Sequence, residues 1–295
     1  MTTEQMDAVR DRIAATIGDW GRGTTLEEMR AGFAELVSAG RRPAQTAVDA
    51  GGIPGAWFGG PPEPGDTVIF YCHGGGYQMG SILSHGPLMA DLAEGSGARV
   101  LGFDYRVAPE HRYPAALDDT LAVYRWVLDQ GIEPSRMAIA GDSAGAGLAL
   151  AAMLRMRDQD LPLPAAAVFL SPWLDMQARS DSYDTKAPLD PLTQRGKVAA
   201  MVRTYLGRDG DPTDSFASPI DGDMTGLPPI LVHVGGHETV LGDSELLADR
   251  AAAAGTSVEV VVWDGMIHHF QVFPELDEAR ASLDGIGAWL RRRLG

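Results

Sequence analysis

Apolar residues recur at helical spacing in two stretches near the start of the chain: Met6, Val9, Ile13 and Ile17, then Leu26, Met29, Phe33 and Leu36. That period predicts two amphipathic helices within about residues 1–42. Gly18, Gly21 and Gly23 separate them, and Arg42-Pro43 ends the second. Neither helix carries enough apolar surface for a core of its own, so both are expected to lie over something larger. Strand patterns follow. Thr46–Ala50 and Ile53–Phe58, joined by Gly51-Gly52, predict a hairpin. Thr67–Cys72 is a nearly unbroken apolar run, the pattern of a strand buried on both faces. Beyond it the periods of two and 3.6 alternate. Strands are predicted at Val100–Phe103, Met137–Ala140, Ala165–Leu170, Pro229–Val234 and Val258–Trp263. Helices are predicted at Pro114–Leu128, Ala144–Met156, Ser244–Ala254 and Glu275–Arg293. This alternation implies an α/β fold with a mainly parallel central sheet covered by helices on both faces. From about Asp175 to Gly226 the strand rhythm stops, and only a helical piece near Thr193–Tyr205 stands out. The segment is long for a plain connection and reads as an insertion, expected to pack against the N-terminal helices.

Composition narrows the class. The 295 residues are 45% hydrophobic and 22% charged, as expected of a globular chain that forms one domain. No apolar run is long enough to span a bilayer, so no membrane anchor is expected. The start Met1-Thr2-Thr3-Glu4 lacks the basic and apolar regions of a secretion signal, which leads to an expectation of cytoplasmic location. A formal net charge of −16 repels phosphate backbones and argues against a nucleic-acid partner. Cys72, the single cysteine, rules out an intrachain disulfide and reads as a small buried hydrophobe. The seven histidines show no HExxH or other close metal-ligand spacing, and no metal is expected.

Chemistry enters at Gly141-Asp142-Ser143-Ala144-Gly145, which fits the G-x-S-x-G nucleophile elbow. A predicted strand precedes it and a predicted helix follows, so Ser143 would sit at the tip of a sharp turn above a helix N-terminus. The positive end of that helix favours developing negative charge. His73-Gly74-Gly75-Gly76 follows the strand ending at Cys72. Successive glycines leave backbone N–H groups free to meet an oxyanion, and the N–H after the nucleophile, that of Ala144, completes such a hole. His73 precedes the serine and is expected to hold the loop by hydrogen bonds.

With Asp104-Tyr105-Arg106-Val107-Ala108-Pro109-Glu110, Ser171-Pro172-Trp173 and Gly265-Met266-Ile267-His268, these motifs resemble the hormone-sensitive-lipase-like esterases over about Val68–Phe273. The resemblance implies an α/β-hydrolase fold with a helical cap, here formed by about 1–42 and an insertion at about 180–225. It implies oxyanion donors at Gly75, Gly76 and Ala144 and a homodimer as the possible assembly; the chemistry of a serine nucleophile, a histidine base and an acid needs no cofactor, and none is expected. Asp104, Arg106 and Glu110 are expected to form a structural polar network.

In this fold the chain order is serine, acid, histidine. His268 and His269 both follow the last strand. The family pattern of His, a small residue and Phe aligns His268 with the base and puts His269 where glycine is usual, at the expected pocket mouth. For the acid, Leu241 and Asp243 set a register whose family aspartate falls on Thr239. Glu238 is adjacent and is the favoured acid, with Asp243 the alternative. Asp243 is otherwise expected to cap the next helix, and Asp264 to be a turn residue. Tyr77, Trp20, Trp57 and Tyr205 are candidate pocket residues. The expected function is hydrolysis of small soluble carboxylic esters through an acyl-enzyme. A lactone hydrolase is the nearest alternative, and amide hydrolysis a further one. A non-catalytic small-molecule receptor on the same fold is the remote one, since plant gibberellin receptors resemble this family but lack the histidine.

Overall fold

In the computed structural model, which describes residues 3–18, 20, 21 and 23–295, both N-terminal helices form, as α1 (Thr3–Ile17) and α2 (Leu26–Ser38). Met1 and Thr2, where the targeting reading begins, lie outside the described residues. Thr25 caps α2: its hydroxyl accepts from the Glu28 N–H while Glu28 reaches back to the Thr25 N–H. The hairpin follows, β1 (Thr46–Asp49) against β2 (Pro54–Phe58), with Asp49 opposite Pro54.

The rest of the sheet comprises β3 (Val68–Cys72), β4 (Arg99–Phe103), β5 (Met137–Asp142), β6 (Ala166–Leu170), β7 (Ile230–Gly235) and β8 (Val258–Trp263). Among the described residues its order is β1-β2-β4-β3-β5-β6-β7-β8, antiparallel at β1–β2 and β2–β4 and parallel elsewhere. Alternate residues of each inner strand supply two different cores. Val68, Phe70 and Cys72 point to the face covered by α4 (Ala115–Asp129), α5 (Ala144–Asp158) and α8 (Leu241–Ala253). Ile69 and Tyr71 point to the face covered by α3 (Ile82–Ser96) and α9 (Asp277–Leu294), with α2 packed on α3 and α1 on α2. Burial on both sides is why these strands lack polar alternation.

Helix α3 is not predicted from the pattern. Gly86, Pro87 and Gly95 interrupt its period, and Pro87 removes a ladder hydrogen bond at a cost of about 3 kcal/mol. Ile82, Leu88, Met89 and Leu92 are buried in it, and each side chain returns roughly 1.5–3 kcal/mol, so packing wins. Its start carries a local signal all the same: Ser81 accepts from the Ser84 N–H and Ser84 from the Ser81 N–H. The 175–226 segment contains the short α6 (Ser182–Thr185) and α7 (Arg195–Leu206). No helix among the described residues is long and apolar enough to cross a membrane.

Candidate active site

Strand β5 ends at Asp142 and α5 begins at Ala144, so the reversal falls on Ser143. Its backbone sits at φ 49°, ψ −121°, a conformation that costs a serine about 1–3 kcal/mol and that the flanking elements hold. The turn closes because Gly145 has no side chain: a Cβ there would strike the carbonyl oxygens of Cys72 and His73. The result projects the Ser143 hydroxyl beyond the sheet. His268, on the loop after β8, places Nε2 3.0 Å from Ser143 Oγ. Its Nδ1 lies 2.6 Å from Glu238 Oε2, on the loop after β7. Glu238 is fully buried, and its Oε1 accepts from the Ser171 hydroxyl at 2.9 Å and from the Gly235 N–H. Burial pushes the Glu238 carboxyl up, while the hydrogen bonds from His268 and Gly235 pull it down. For His268 burial works against the charged ring, but the hydrogen bond and charge of Glu238 outweigh it and leave the imidazole above its ordinary value.

Gly75 and Gly76 line the same cavity as Ser143 and His268. Gly75 adopts φ 115°, and a Cβ there would strike the Met79 carbonyl, so this turn requires glycine. The loop is anchored from below by the Gly74 N–H, which donates to Asp142 Oδ1 at 2.9 Å. The Ala144 N–H, in the first turn of α5, has no partner in the helix ladder. His73 holds the loop as expected, with Nδ1 2.8 Å from the Gly74 carbonyl and its ring stacked on Tyr105.

The cavity above Ser143 has a volume of about 170 Å³ and a mainly apolar wall. Ile17, Trp20 and Phe33 close it from the α1–α2 side, Leu192 and Met201 from the α7 side, and Phe273 from the base loop. Trp20 is therefore a pocket residue, whereas three other candidate aromatics are not. Tyr77 and Tyr205 stack on each other at 3.8 Å within the core, and Trp57 lies on the far face near Trp126.

Several expectations need correction. Asp243 lies within α8 and does not cap it; its Oδ2 accepts from the Leu174 and Asp175 N–H groups and from the Tyr183 hydroxyl. It thus ties the post-β6 loop and cannot serve His268, whose Nδ1 is taken by Glu238. His269 is buried at the cavity floor rather than at the mouth, with Nε2 3.2 Å from Asp142 Oδ2. Asp104, Arg106 and Glu110 form no common network: they pair with the Ile82 N–H, Asp119 and Arg30 respectively. Asp264 is a turn residue, as expected. Thr239 packs against Asp190, which accepts from its N–H at 2.8 Å and so joins the acid loop to the segment before α7. Ser171 belongs to this cluster of side chains, although the spacing did not identify it. Its hydroxyl bridges Glu238 and the His269 N–H, and the only sequence signal was its place in the Ser171-Pro172-Trp173 motif.

Asp142 lies directly beneath this site and is fully buried. Burial opposes its charge, yet the rings of His269 and His85 and the Tyr71 hydroxyl hold the carboxyl well below its usual range.

Comparison with known proteins agrees with this geometry. A family profile for the alpha/beta hydrolase fold matches residues 69–272. An acetyl-hydrolase of Streptomyces hygroscopicus is 41% identical over 254 residues, covering 86% of this chain and 84% of its own. An esterase of Acinetobacter venetianus is 39% identical over 220 residues, 73% of each chain. The crystal structure of an esterase from the bacterial hormone-sensitive lipase family superposes with a TM-score of 0.93 at 39% identity, covering 100% of both chains.

Proposed function

The chain belongs to the α/β-hydrolase fold family, in its hormone-sensitive-lipase-like branch, and is a carboxylic-ester hydrolase; within that class we propose that it cleaves small esters of short to medium acyl chains through a Ser143–His268–Glu238 triad. The observation that carries the triad is the unbroken chain of contacts from Ser143 Oγ through His268 to Glu238, opening on an apolar cavity. His268 Nε2 takes the Ser143 proton as Oγ attacks the ester carbonyl. Glu238 keeps the imidazole proton on Nδ1 and stabilises the imidazolium. The amides of Gly75, Gly76 and Ala144 receive the oxyanion, and each such donor contributes about 3 kcal/mol to the barrier reduction. The imidazolium gives its proton to the departing alcohol. Water then enters, loses a proton to His268 and releases the acid from Ser143 by the reverse sequence.

The size of the cavity supports the chain-length reading. A dry protein cavity of about 150 Å³ holds one benzene, so the roughly 170 Å³ here suits an acyl group of similar bulk. In this reading the chain is one domain, and the N-terminal helices with the 180–225 segment act as the cap that sets this room. Initial rates on p-nitrophenyl acetate, butyrate, octanoate and palmitate test it, with Ser143→Ala beside the wild type. Butyrate turnover well above palmitate turnover, abolished in the serine variant, is the expected result. A preference for palmitate, or for lactones over all four esters, overturns the substrate assignment.

A further inference from the structure

Beneath Ser143, three buried side chains from distant parts of the chain converge: His85 on α3, Asp142 at the end of β5, and His269 beside the base. Asp142 Oδ2 lies 3.3 Å from His85 Nε2 and 3.2 Å from His269 Nε2, and all three atoms lie within 4.8 Å of one another. Zinc bonds of ~2.0–2.2 Å in a tetrahedron place neighbouring ligand atoms ~3.3–3.6 Å apart. Two edges of this triangle are close to that length, and a bound ion would draw the two rings together along the third. His269 Nε2 is buried 3.2 Å from the carboxylate yet has no hydrogen-bond partner. Its residue also holds φ 57°, which favours glycine, so the ring is kept at a backbone cost. The surroundings suit coordination. Asp142 Oδ1 is already fixed by the Tyr71 hydroxyl at 2.7 Å and the Gly74 N–H at 2.9 Å, and Oδ2, in hydrogen-bond contact with His85 Nε2 at 3.3 Å, is the oxygen between the two rings, where an ion would replace that contact. The Ser84 hydroxyl lies 2.8 Å from His85 Nδ1 and 2.9 Å from the Ser81 carbonyl. It can donate to that carbonyl and accept from Nδ1–H, which frees the Nε2 lone pair, as outer partners of metal-bound histidines do. Asp142 and His269 both border the substrate cavity, so an ion has a way in and an open coordination position on that side.

We propose that His85, Asp142 and His269 form a site for a divalent transition-metal ion of the Zn2+ type at the floor of the substrate cavity, and that its occupation inhibits the enzyme. Two imidazoles and one carboxylate suit such an ion better than Mg2+ or Ca2+. The inhibition rests on the catalytic reading above, because the ion would draw on the carboxylate that anchors the oxyanion loop and would narrow the acyl pocket. The binding does not rest on it.

Calorimetric titration of chelator-stripped protein with ZnCl2 tests the site, alongside the absorption spectrum with Co2+. The wild type should bind one Zn2+ per chain and give the visible bands of tetrahedral Co2+. His269→Gly, which its backbone geometry favours, and His85→Gln should each weaken binding at least tenfold. His268→Ala should bind as the wild type does. Absence of Zn2+ binding to the wild type, undiminished binding in His269→Gly and His85→Gln, or loss of binding in His268→Ala overturns the site. Ester hydrolysis with chelator present separates the two readings: full rates there, with no ion bound in the titration, refute the ion site and leave the catalytic assignment standing.

Discussion

Replacement of Glu238 by glutamine removes one charge and almost no volume, and its consequence can be worked from three hydrogen bonds. The amide oxygen keeps the two donors on Oε1, the Ser171 hydroxyl and the Gly235 N–H. The amide nitrogen then faces His268 Nδ1 at the 2.6 Å contact. It can only donate there, so the imidazole proton must move to Nε2, the atom 3.0 Å from Ser143 Oγ. A ring protonated at Nε2 cannot take the serine proton. The lost stabilisation of the imidazolium adds to this: two unit charges 4 Å apart at an effective dielectric of 20 interact by about 4 kcal/mol. Together with the tautomer change this predicts a fall in kcat of roughly 10³–10⁴-fold, since each factor of ten is ~1.4 kcal/mol, in line with the ~10⁴ loss for the corresponding change in a serine protease. KM should change little, because Glu238 does not border the cavity. Steady-state rates on p-nitrophenyl butyrate read both constants, and circular dichroism confirms the fold. A kcat within tenfold of wild type refutes the triad, because no other carboxylate contacts His268 Nδ1 among the described residues.

Ser171→Ala deletes a hydrogen bond to a buried carboxylate and leaves the His269 N–H without its acceptor. A bond of this type is worth ~1.5–3 kcal/mol, so kcat should fall roughly 10- to 100-fold and Tm should drop; wild-type values in both assays contradict the bridging role. Met201→Ala removes part of the α7 wall and should raise the octanoate-to-butyrate ratio of kcat/KM several-fold; an unchanged ratio means Met201 does not bound the acyl chain. Asp243 makes a prediction about pH. Burial pushes its carboxyl up to about 7, against the hydrogen bond from the Leu174 N–H, whereas an unfolded aspartate titrates near ~3.9. Between those values the folded state holds a proton that the unfolded chain has released, so stability falls as pH climbs from about 4 to about 7 and levels off above, by roughly 4 kcal/mol in all. Asp243→Asn should flatten that slope in urea unfolding series across this range, and parallel wild-type and variant slopes would sink the assignment.

Legibility in the sequence followed the range of the interactions. The nucleophile elbow, the glycine loop and the hairpin depend on backbone conformations within five or six residues, so their residue types announce them. The alternation of strands and helices is likewise a local period, and it was enough for a parallel sheet covered on both faces. Helix α3 escaped because its stability comes from burial against α2, α9 and the sheet, which outweighs the local cost of Pro87. The base could be narrowed to two adjacent histidines by chain order and resemblance. The acid was a harder choice, because Glu238 and Asp243 stand on one loop and α-helical turn, five residues apart. Parallel pairing sets which of them reaches His268. With β6 beside β7, Ser171 and Gly235 come to the same sheet end and both donate to Glu238, while Asp243 is drawn to the Leu174 loop instead. The packing of α3 and of the loop after β8 around the end of β5 likewise brings His85, Asp142 and His269 together, from positions with no common spacing in the chain. What the sequence determined by itself was the chemistry available at each turn. Which side chains share one carboxylate, and how much room remains above the serine, are set by strand order and helix packing, because those distances exist only once residues a hundred positions apart are brought together.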